Sequence, residues 1–318
     1  MKNKKKILIL GATGFIGRNC LIHFSKKNDY STYGTYNKKK PFYCKNVKWI
    51  KVDLLNKSQI DKVIKKKDVV IQAAATTSGS KDIVNTPQLH VTDNAIMNSL
   101  IMRSAFEQNV RNVIFFSCTV MYPNSKKKYL SEKDIKNKNL VTTKYFGAGN
   151  TKLYIEKICE FFGNLGETKY TCVRHSNIYG PYDKFDLNKG HFFAANMLKV
   201  FNHKNKKLSI WGKGTEMRDL LHIKDLLSFI DLILIKQKAG FKIYNCTYGK
   251  SFKVIEIIKK IIKFSKKNIF ISCDLSQPTI PINILVNSKK AKKEIGWYPK
   301  VNIDEGIKET FKWMKKNL

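Results

Sequence analysis

Short apolar runs alternate with amphipathic segments through the first 175 residues. The amphipathic segments carry apolar residues at three- and four-residue spacing, which predicts helices that end near residue 26 and span about 57–66, 87–109 and 151–162. The apolar runs predict strands at Lys5–Leu10 and Tyr30–Tyr36 and at 47–52, 68–72, 112–117 and 170–174. Strands that alternate with helices are typical of a parallel sheet with right-handed crossovers. We therefore expect an α/β fold built on a doubly wound parallel sheet.

Three glycines separate the first predicted strand from the first predicted helix. Gly11 allows a tight turn, Gly14 lets the backbone approach a pyrophosphate, and Gly17 lets the helix pack close to the strand. The helix N-terminus then offers amide donors and the positive end of its dipole. The loop predicts a Rossmann-type dinucleotide site rather than a purely structural turn, with further contacts from Thr13, Phe15 and Ile16.

The end of the second predicted strand bears on the choice of coenzyme. An NAD site usually places Asp or Glu there for the ribose 2′-hydroxyl. This chain has Asn37 and Lys38, followed by two more lysines and no carboxylate. The pattern favours a 2′-phosphate, hence NADP over NAD. The alternative is that these lysines belong to a general excess of lysine and that the site accepts NAD.

The charge balance is strongly basic, with 60 Lys and Arg against 24 Asp and Glu and a net charge of +36. Only five of these bases are arginine, the residue that nucleic-acid binders use most for base and phosphate contacts. We interpret the lysines chiefly as solvated surface. Steering of an anionic substrate comes second, and nucleic-acid binding third.

The cysteine count and the lengths of the apolar runs bear on compartment. Seven cysteines form no close pairs, so neither a disulfide framework nor a zinc site is expected, and a reducing cytoplasm is the simple explanation. No apolar run approaches the roughly 18 residues of a membrane span. The N-terminus lacks the pattern of a signal peptide. We expect a cytoplasmic protein without a metal site.

Further motifs follow in order along the chain, namely R-H-S-N-I-Y-G-P at 174–181, G-W-Y-P at 296–299 and E-G-I at 305–307. Together with the glycine loop they resemble the extended short-chain dehydrogenase/reductase family, which comprises nucleotide-sugar epimerases, dehydratases and reductases. The resemblance implies an adenine contact at Asp53 and a small-residue turn beneath the adenosine. The remaining cofactor contacts that it implies are Leu54, Ala73, Ala74, Ala75, Asn94, Ser117, His175 and Asn177.

The resemblance also implies how the chain is organised. A dinucleotide-binding domain would cover residues 1–174, and a smaller C-terminal α/β substrate domain would cover 175–318. Within the latter, strand-like segments at 218–223 and 242–246 predict that 219–247 returns to the first domain. Family likeness further suggests a homodimer formed through the helices near 87–109 and 151–162.

Two segments carry a closer likeness. Y-G-P-Y-D-K-F at 179–185, with Gly190 and His191 behind it, and W-G-K-G-T-E-M-R-D at 211–219 resemble the GDP-L-fucose synthase group of that family. The likeness implies that His191 is an acid or base and that Arg218 holds a nucleotide diphosphate, for which a guanidinium fork is well suited. The other expected substrate contacts are Asn177, Lys199 and Trp211.

The proton-transfer residues depart from the family pattern, in which Tyr and Lys stand four residues apart on one helix. Lys152 fits the family's K-x-x-x-E, but Ala148 occupies the tyrosine position. Tyr145 lies seven residues before Lys152, and the glycines at 147 and 149 argue against an unbroken helix there. Either Tyr145 reaches in from a preceding loop, or another group relays the proton.

The position of the usual Ser or Thr hydroxyl also differs. It falls on Cys118, whose thiol is a poor hydrogen-bond donor, so that Thr119 is the alternative source of a hydroxyl. The residues that follow do not match those used for 4,6-dehydration or 3,5-epimerisation. The expected activity is NAD(P)-dependent hydride transfer at C4 of a nucleotide-activated hexose or heptose, most plausibly GDP-linked, in surface polysaccharide synthesis. The alternative is a non-catalytic dinucleotide-binding protein that lacks the Tyr-Lys relay.

Overall fold

The computed structural model describes residues 3–76, 86–123, 129–135, 141, 145–276 and 284–318. Its first half contains six strands: β1 (Lys5–Leu10), β2 (Tyr30–Tyr36), β3 (Val47–Lys51), β4 (Val69–Gln72), β5 (Asn112–Cys118) and β6 (Lys169–His175). Among the described residues, four helices lie between these strands: α1 (Phe15–Ser25), α2 (Lys57–Ile64), α3 (Thr92–Glu107) and α4 (Phe146–Leu165). Short 3-10 helices cover Pro87–His90, Thr119–Met121 and Glu132–Asp134.

The second half contains shorter strands and further helices. The strands are β7 (Asn177–Tyr179), β8 (Lys207–Trp211), β9 (Met217–His222), β10 (Phe241–Cys246), β11 (Ser251–Lys253) and β12 (Phe270–Asp274). The helices are α5 (Phe192–Phe201), α6 (Ile223–Lys236), α7 (Val254–Ser265), α8 (Lys289–Ile295) and α9 (Ile303–Asn317). Among the described residues, no helix has the length and apolar character needed to cross a membrane.

A seven-stranded sheet forms the centre of the molecule, in the order β10-β6-β5-β4-β1-β2-β3. Every neighbouring pair in it is parallel. The chain moves outward from β1 to β3 and then returns to β4 on the other side of β1, so the topological switch lies between β1 and β4. This arrangement is the predicted doubly wound Rossmann sheet.

Helices cover both faces of this sheet, as an all-parallel sheet requires. Ile7 and Ile9 of β1 face a core that includes residues of α1 and α6. Leu8 and Leu10 face the opposite core, which includes residues of α2, α3 and α4. All four side chains are fully buried, so β1 is apolar on both faces. The glycine loop follows the carboxyl end of this central strand.

The remaining strands form two smaller sheets, β11-β9-β7 and β12-β8. A third apolar core lies among them and includes residues of α5, α7 and α9. The segment 219–247 is divided between the two parts. Residues 219–222 belong to β9 in the three-stranded sheet, whereas β10 pairs with β6 as an outer strand of the large sheet.

The start of α4 differs from the sequence expectation. This helix begins at Phe146, not near residue 151, and both glycines lie inside it. A Cβ on Gly147 would stand 2.7 Å from the Val91 side chain, and one on Gly149 would stand 2.6 Å from that of Val141. These glycines allow close packing of the first helical turn rather than breaking the helix. The predicted helix near 87–109 also divides, into the 3-10 turn and α3.

Candidate active site

The glycine loop is shaped by close backbone contacts. Gly11 has φ +72°, and a Cβ there would stand 2.6 Å from Ala74 Cα. A Cβ on Gly17 would stand 2.2 Å from the carbonyl oxygen of Gly11. The Gly11 N–H donates to Thr35 Oγ1 at 3.0 Å, which ties the loop to β2. These contacts require glycine at positions 11 and 17.

The N-terminus of α1 completes a cradle for a diphosphate. Gly14 is its N-cap and supplies no side-chain cap, so the amides of the first turn are not occupied by a capping side chain. Free amides and the helix dipole both favour an anion at this position. Thr13 is half-buried in the loop, and Phe15 and Ile16 pack partly against the core beneath it. The cradle fits the diphosphate of a dinucleotide.

The predicted adenosine contacts have mixed environments. Asn37 and Lys38 are exposed beyond the end of β2, and no carboxylate stands there. Asp53 is exposed, and its Oδ1 accepts from the Leu55 N–H at 3.1 Å. Leu54 is instead a buried core residue.

The turn after β4 is held by a predicted contact residue. The Asn94 Oδ1 accepts from the Thr76 N–H at 3.0 Å, and its Nδ2 donates to the Thr76 carbonyl at 2.8 Å. Ala73 and Ala74 are half-buried in this turn and Ala75 is exposed. Asn94 therefore fixes the small-residue turn, and its side-chain amide is already engaged with backbone.

The end of β5 carries the residues predicted at the Ser/Thr position. Ser117 is fully buried, and its hydroxyl donates to Met121 Sδ at 3.9 Å, so this hydroxyl faces the interior. Cys118 and Thr119 are half-buried at the strand end, where the chain turns into a 3-10 helix. Burial raises the pKa of the Cys118 thiol, and the charge of Lys152 acts in the opposite direction. The thiol is therefore protonated at neutral pH.

Lys152 projects from the second turn of α4 onto the end of β5. Its Nζ donates to the Phe116 carbonyl at 2.8 Å and lies 5.4 Å from the centre of the Phe115 ring. Tyr145 caps the start of the same helix and is half-buried. Burial raises the pKa of the Tyr145 phenol, and Arg218 lowers it. Arg218 itself comes from β9, in the second part of the molecule.

Electrostatic neighbours connect these side chains into one cluster. Tyr145 interacts with Arg218 and Cys118, and Cys118 interacts with Lys152. Burial, together with the positive charge of Lys152, lowers the pKa of His175 to about 4, so the ring is neutral at physiological pH. The Nδ1 of His175 donates to the Ser176 carbonyl at 2.7 Å, and this hydrogen bond acts on the pKa in the opposite direction.

Three of the predicted substrate residues lie on β7, β9 and at the start of α5. His191 is the N-cap of α5. Desolvation of its ring lowers its pKa, and the positive charges of Lys184 and His90 act in the same direction. The Asn177 Nδ2 donates to the Asp219 carbonyl at 2.9 Å. The Nη1 of Arg218 donates to the Met217 carbonyl at 2.8 Å.

Two further predicted substrate residues lie at β8. The Lys199 Nζ donates to the Ser209 carbonyl at 2.6 Å, so this ammonium is engaged with the backbone of β8. Trp211 ends the same strand with 42% of its surface exposed. Its ring is thus open to a flat apolar ligand.

A buried ion pair behind the cluster was not singled out by sequence reasoning. Arg174 and Glu156 are 4% and 3% exposed, and the Nη2 of Arg174 lies 2.7 Å from Glu156 Oε2. The Nη1 of the same arginine donates to Tyr122 Oη at 3.2 Å. The pair joins β6 to α4 one helical turn after Lys152. It therefore fixes the position of Lys152 along the helix axis relative to the sheet. In the sequence, the K-x-x-x-E spacing and the scarcity of arginine were the two features that could have indicated this pair.

The described residues contain no group of three His, Cys, Asp or Glu side chains placed to hold a metal ion.

Comparison with known proteins identifies the family to which the chain belongs. The sequence profile of the NAD dependent epimerase/dehydratase family matches residues 7–247, so the chain belongs to that family. This finding confirms the family predicted from the motifs.

Individual relatives refine the comparison. The chain is 28% identical over 312 residues to GDP-L-colitose synthase of Yersinia pseudotuberculosis, with 96% of each chain covered. It is 27% identical over 323 residues to GDP-L-fucose synthase of Azorhizobium caulinodans, which covers 98% of this chain and 97% of the relative.

Solved structures share the fold. UDP-glucose 4-epimerase of Thermotoga maritima, determined with UDP-glucose, superposes with a TM-score of 0.86 at 21% identity, covering 98% of this chain and 99% of the other. UDP-glucose 4-epimerase of Bifidobacterium longum, in complex with NAD+ and UDP, gives a TM-score of 0.81 at 21% identity, also with 98% and 99% covered. The fold is that of the extended short-chain dehydrogenase/reductases.

Proposed function

We propose that the protein is an NAD(P)-dependent oxidoreductase or epimerase that acts at C4 of a GDP-linked hexose or heptose. The observation that carries the proposal is that the glycine cradle and Lys152 lie at the carboxyl ends of nearby parallel strands in the seven-stranded sheet. The cradle follows β1, and Lys152 reaches the end of β5, which is separated from β1 only by β4. Because all these strands are parallel, both groups lie where dinucleotides bind in such sheets.

The coenzyme would be held by the cradle and the groups around it. Gly11, Gly14 and Gly17 accommodate the diphosphate, and Lys152 stands where it can bind the nicotinamide ribose. The exposed Asn37 and Lys38, with no carboxylate beside them, support NADP over NAD. When bound, the nicotinamide exchanges a hydride with the sugar.

The sugar nucleotide would lie between the two parts of the molecule. Arg218 would hold the diphosphate, and Trp211 with Asn177 and Lys199 would border the nucleotide. Tyr145 would exchange the C4 hydroxyl proton, with Cys118, Thr119 or His191 as further proton-carrying groups. The GDP preference is supported by the likeness to GDP-L-colitose and GDP-L-fucose synthases. Surface polysaccharide synthesis in the cytoplasm would be the setting.

A homodimer is part of the proposal. α3 and α4 share a surface groove of about 410 Å³ lined by Ser99, Arg103, Lys157, Ile158, Phe161 and Phe162. Phe161 and Leu165 on this face are each 58% exposed. A contiguous apolar patch of this kind is typical of an interaction surface.

The second candidate is a dinucleotide-binding protein without catalysis. It is favoured by one specific observation, the presence of Ala148 four residues before Lys152, with Tyr145 a further turn away. This candidate keeps the cradle and Lys152 but loses the proton relay.

The deciding experiment measures hydride transfer directly. Purified protein is mixed with each of NADPH, NADP+, NADH and NAD+ and a panel of GDP- and UDP-linked 4-keto and 4-hydroxy sugars. The absorbance of reduced nicotinamide reports net oxidation or reduction, and chromatography of the sugar nucleotides reports epimerisation, which leaves that absorbance unchanged. Mass spectrometry of small molecules that co-purify with the protein guides the panel. Turnover with a GDP-sugar supports the proposal. Coenzyme binding without turnover on any sugar nucleotide supports the second candidate, and no coenzyme binding contradicts both.

A further inference from the structure

Arg18 is an arginine of α1 that no motif assigned to a role. It lies in the first turn of the helix, where its N–H donates to the Gly14 carbonyl at 2.8 Å. Its guanidinium carbon lies 4.0 Å from the centre of the Phe42 ring and 4.2 Å from the centre of the Tyr182 ring. Two aromatic contacts restrict the rotation of the planar group, which is thereby held ready for a ligand.

The donors of this guanidinium are unused. Arg18 Nε is buried without a hydrogen-bond partner, whereas neither terminal nitrogen is buried. Across the described residues, Arg18 forms no hydrogen bond with another side chain and no ion pair. The groups that act on its charge are Tyr182 and Cys44, neither of which is a carboxylate. A fixed, half-buried cation without a counter-ion is a favourable position for an anion.

The rings that hold Arg18 are themselves positioned by the fold. Tyr182 has φ +67°, a conformation that is costly for a residue other than glycine. The Asn19 Nδ2 holds this segment by donating to the Pro181 carbonyl at 3.0 Å. The Trp313 ring of α9 packs against the Tyr182 ring at 4.9 Å. Three separate segments therefore converge to present one guanidinium.

The location relates Arg18 to the phosphate cradle. Side chains on a helix lean toward its N-terminus, so Arg18 leans toward the cradle formed by the first turn of α1. Phe42 belongs to the segment 37–46, which begins with the exposed Asn37 and Lys38. The guanidinium therefore contacts the segment that follows β2 and belongs to the helix whose first turn forms the cradle.

We propose that Arg18 is a phosphate-binding residue, which presents its terminal nitrogens to a phosphate group outside the glycine loop. The phosphate is either the adenosine 2′-phosphate of a bound coenzyme or a free phosphate ion. Only the first source rests on the proposed function.

The test compares three variants by isothermal titration with inorganic phosphate, NAD+ and NADP+. Arg18→Met removes the charge and keeps an apolar stem between the rings, and Arg18→Lys keeps the charge without the fork. Arg111→Met is the matched control, because Arg111 is an exposed arginine at the amino end of β5, at the opposite end of the parallel strands from the cradle. Thermal unfolding of each variant verifies the fold, and Arg18→Lys carries the test if Arg18→Met does not fold.

We expect Arg18→Met to weaken phosphate binding about ten- to a hundred-fold, the size of a lost charge-assisted hydrogen bond. A matching loss for NADP+ with NAD+ unchanged identifies the coenzyme 2′-phosphate as the source. A loss for inorganic phosphate alone identifies a free ion. Unchanged binding of all three probes, or equal losses for NAD+ and NADP+ with phosphate unaffected, overturns the proposal. If the parent protein binds neither coenzyme, the proposed function fails while the phosphate titration still tests Arg18.

Discussion

Tyr145 is the N-cap of the unbroken helix that carries Lys152, and the lysine is hydrogen-bonded to the backbone of β5 rather than to the phenol. The Nζ of Lys152 donates to the Phe116 carbonyl at 2.8 Å, whereas Tyr145 stands seven residues earlier, at the helix N-cap. At about 1.5 Å rise per residue, the two side chains leave the helix roughly 10 Å apart. The phenol instead lies within electrostatic range of Arg218 and Cys118. A proton relay here cannot have the usual one-turn spacing.

Substitution of Tyr145 and substitution of Lys152 should have different effects on turnover and on coenzyme binding. Tyr145→Phe deletes the phenolic proton and should slow turnover about 10²- to 10⁴-fold with little change in coenzyme affinity. Lys152→Met should weaken coenzyme binding as well as turnover. Steady-state kinetics and coenzyme titration separate the two effects. Lys62→Met is the control, because Lys62 is an exposed lysine of α2. Unchanged turnover in Tyr145→Phe would exclude this phenol from the mechanism.

The glycine cradle should not accept a methyl group. In Gly17→Ala the new Cβ meets the Gly11 carbonyl oxygen at 2.2 Å, so the loop must shift. We expect a loss of coenzyme binding and a loss of roughly 2–3 kcal/mol in the free energy of unfolding. Chemical denaturation and coenzyme titration measure the two quantities.

The control for this variant is Gly249→Ala. Gly249 has φ +77° but no atom within 4 Å of an added Cβ, so this change adds backbone strain of about 1 kcal/mol without a clash. Its coenzyme affinity should equal that of the parent. Retained coenzyme binding in Gly17→Ala would show that the loop adjusts and would contradict the cradle described above.

The buried Arg174–Glu156 pair should be costly to break. Arg174→Met leaves the Glu156 carboxylate buried without its partner, and a loss of about 3–5 kcal/mol in the free energy of unfolding is expected. Arg174→Met combined with Glu156→Leu should recover part of that loss, because no uncompensated charge remains. The exposed pair Arg103–Glu107 provides the comparison, with about 0.5 kcal/mol lost in Arg103→Met. A loss below about 1 kcal/mol in Arg174→Met would contradict the burial of the pair.

Two buried groups should give stability opposite dependences on pH. Burial lowers the pKa of His222 to about 4 from an ordinary value of 6.5. The unfolded chain therefore takes up a proton between these values that the folded chain does not, and stability falls as pH drops from 6.5 to 4. Burial raises the pKa of Asp183 to about 7 from 3.8, so its contribution is present at low pH and is lost as pH rises through 7.

Substitution of each group should remove its share of the pH dependence. Relative to the parent, His222→Asn should gain stability as pH falls from 6.5 to 4. Asp183→Asn should gain it as pH rises from 4 to 7. Each slope can reach about 1.4 kcal/mol per pH unit. Denaturant titrations at several pH values measure both, and the same sign for the two variants would contradict the assignment.

The face formed by α3 and α4 should determine the oligomeric state. Phe161→Asp places a charge beside the groove on this face and should convert a homodimer into monomers in sedimentation equilibrium. Tyr43→Asp is the control, because Tyr43 is 93% exposed and lies in the segment after β2, on another element. A parent protein that is monomeric at all concentrations would contradict the proposed dimer.

The large sheet was predictable because its signals are local. The apolar runs and the three glycines act over a few residues, and they predict β1, β2 and the cradle with their order along the chain. The start of α4 was not predictable in this way. Gly147 and Gly149 normally weaken a helix, but the close approach of Val91 and Val141 requires them inside one. Such contacts between distant segments cannot be derived from the spacing of residues in one chain.

The candidate site shows the same division. The motif around residues 174–181 predicted that His175 and Asn177 lie at and just after the end of the sixth strand, as the structure shows. It did not predict the buried hydroxyl of Ser117 or the burial of Leu54. The ring contacts of Arg18 depend on a segment 164 residues away, at Tyr182. These features arise from tertiary packing, and a single sequence that is not aligned with its relatives carries no direct signal of such contacts.

The outer strand β10 has a consequence for biosynthesis. It pairs with β6, but 65 residues separate the end of β6 from the start of β10. During translation, the edge of β6 must therefore stay unpaired until residue 246 has left the ribosome. An open edge of this kind is a site for mispairing with other nascent chains. A fragment truncated at residue 174 would keep that exposed edge permanently, so recombinant work on the coenzyme-binding part should retain β10.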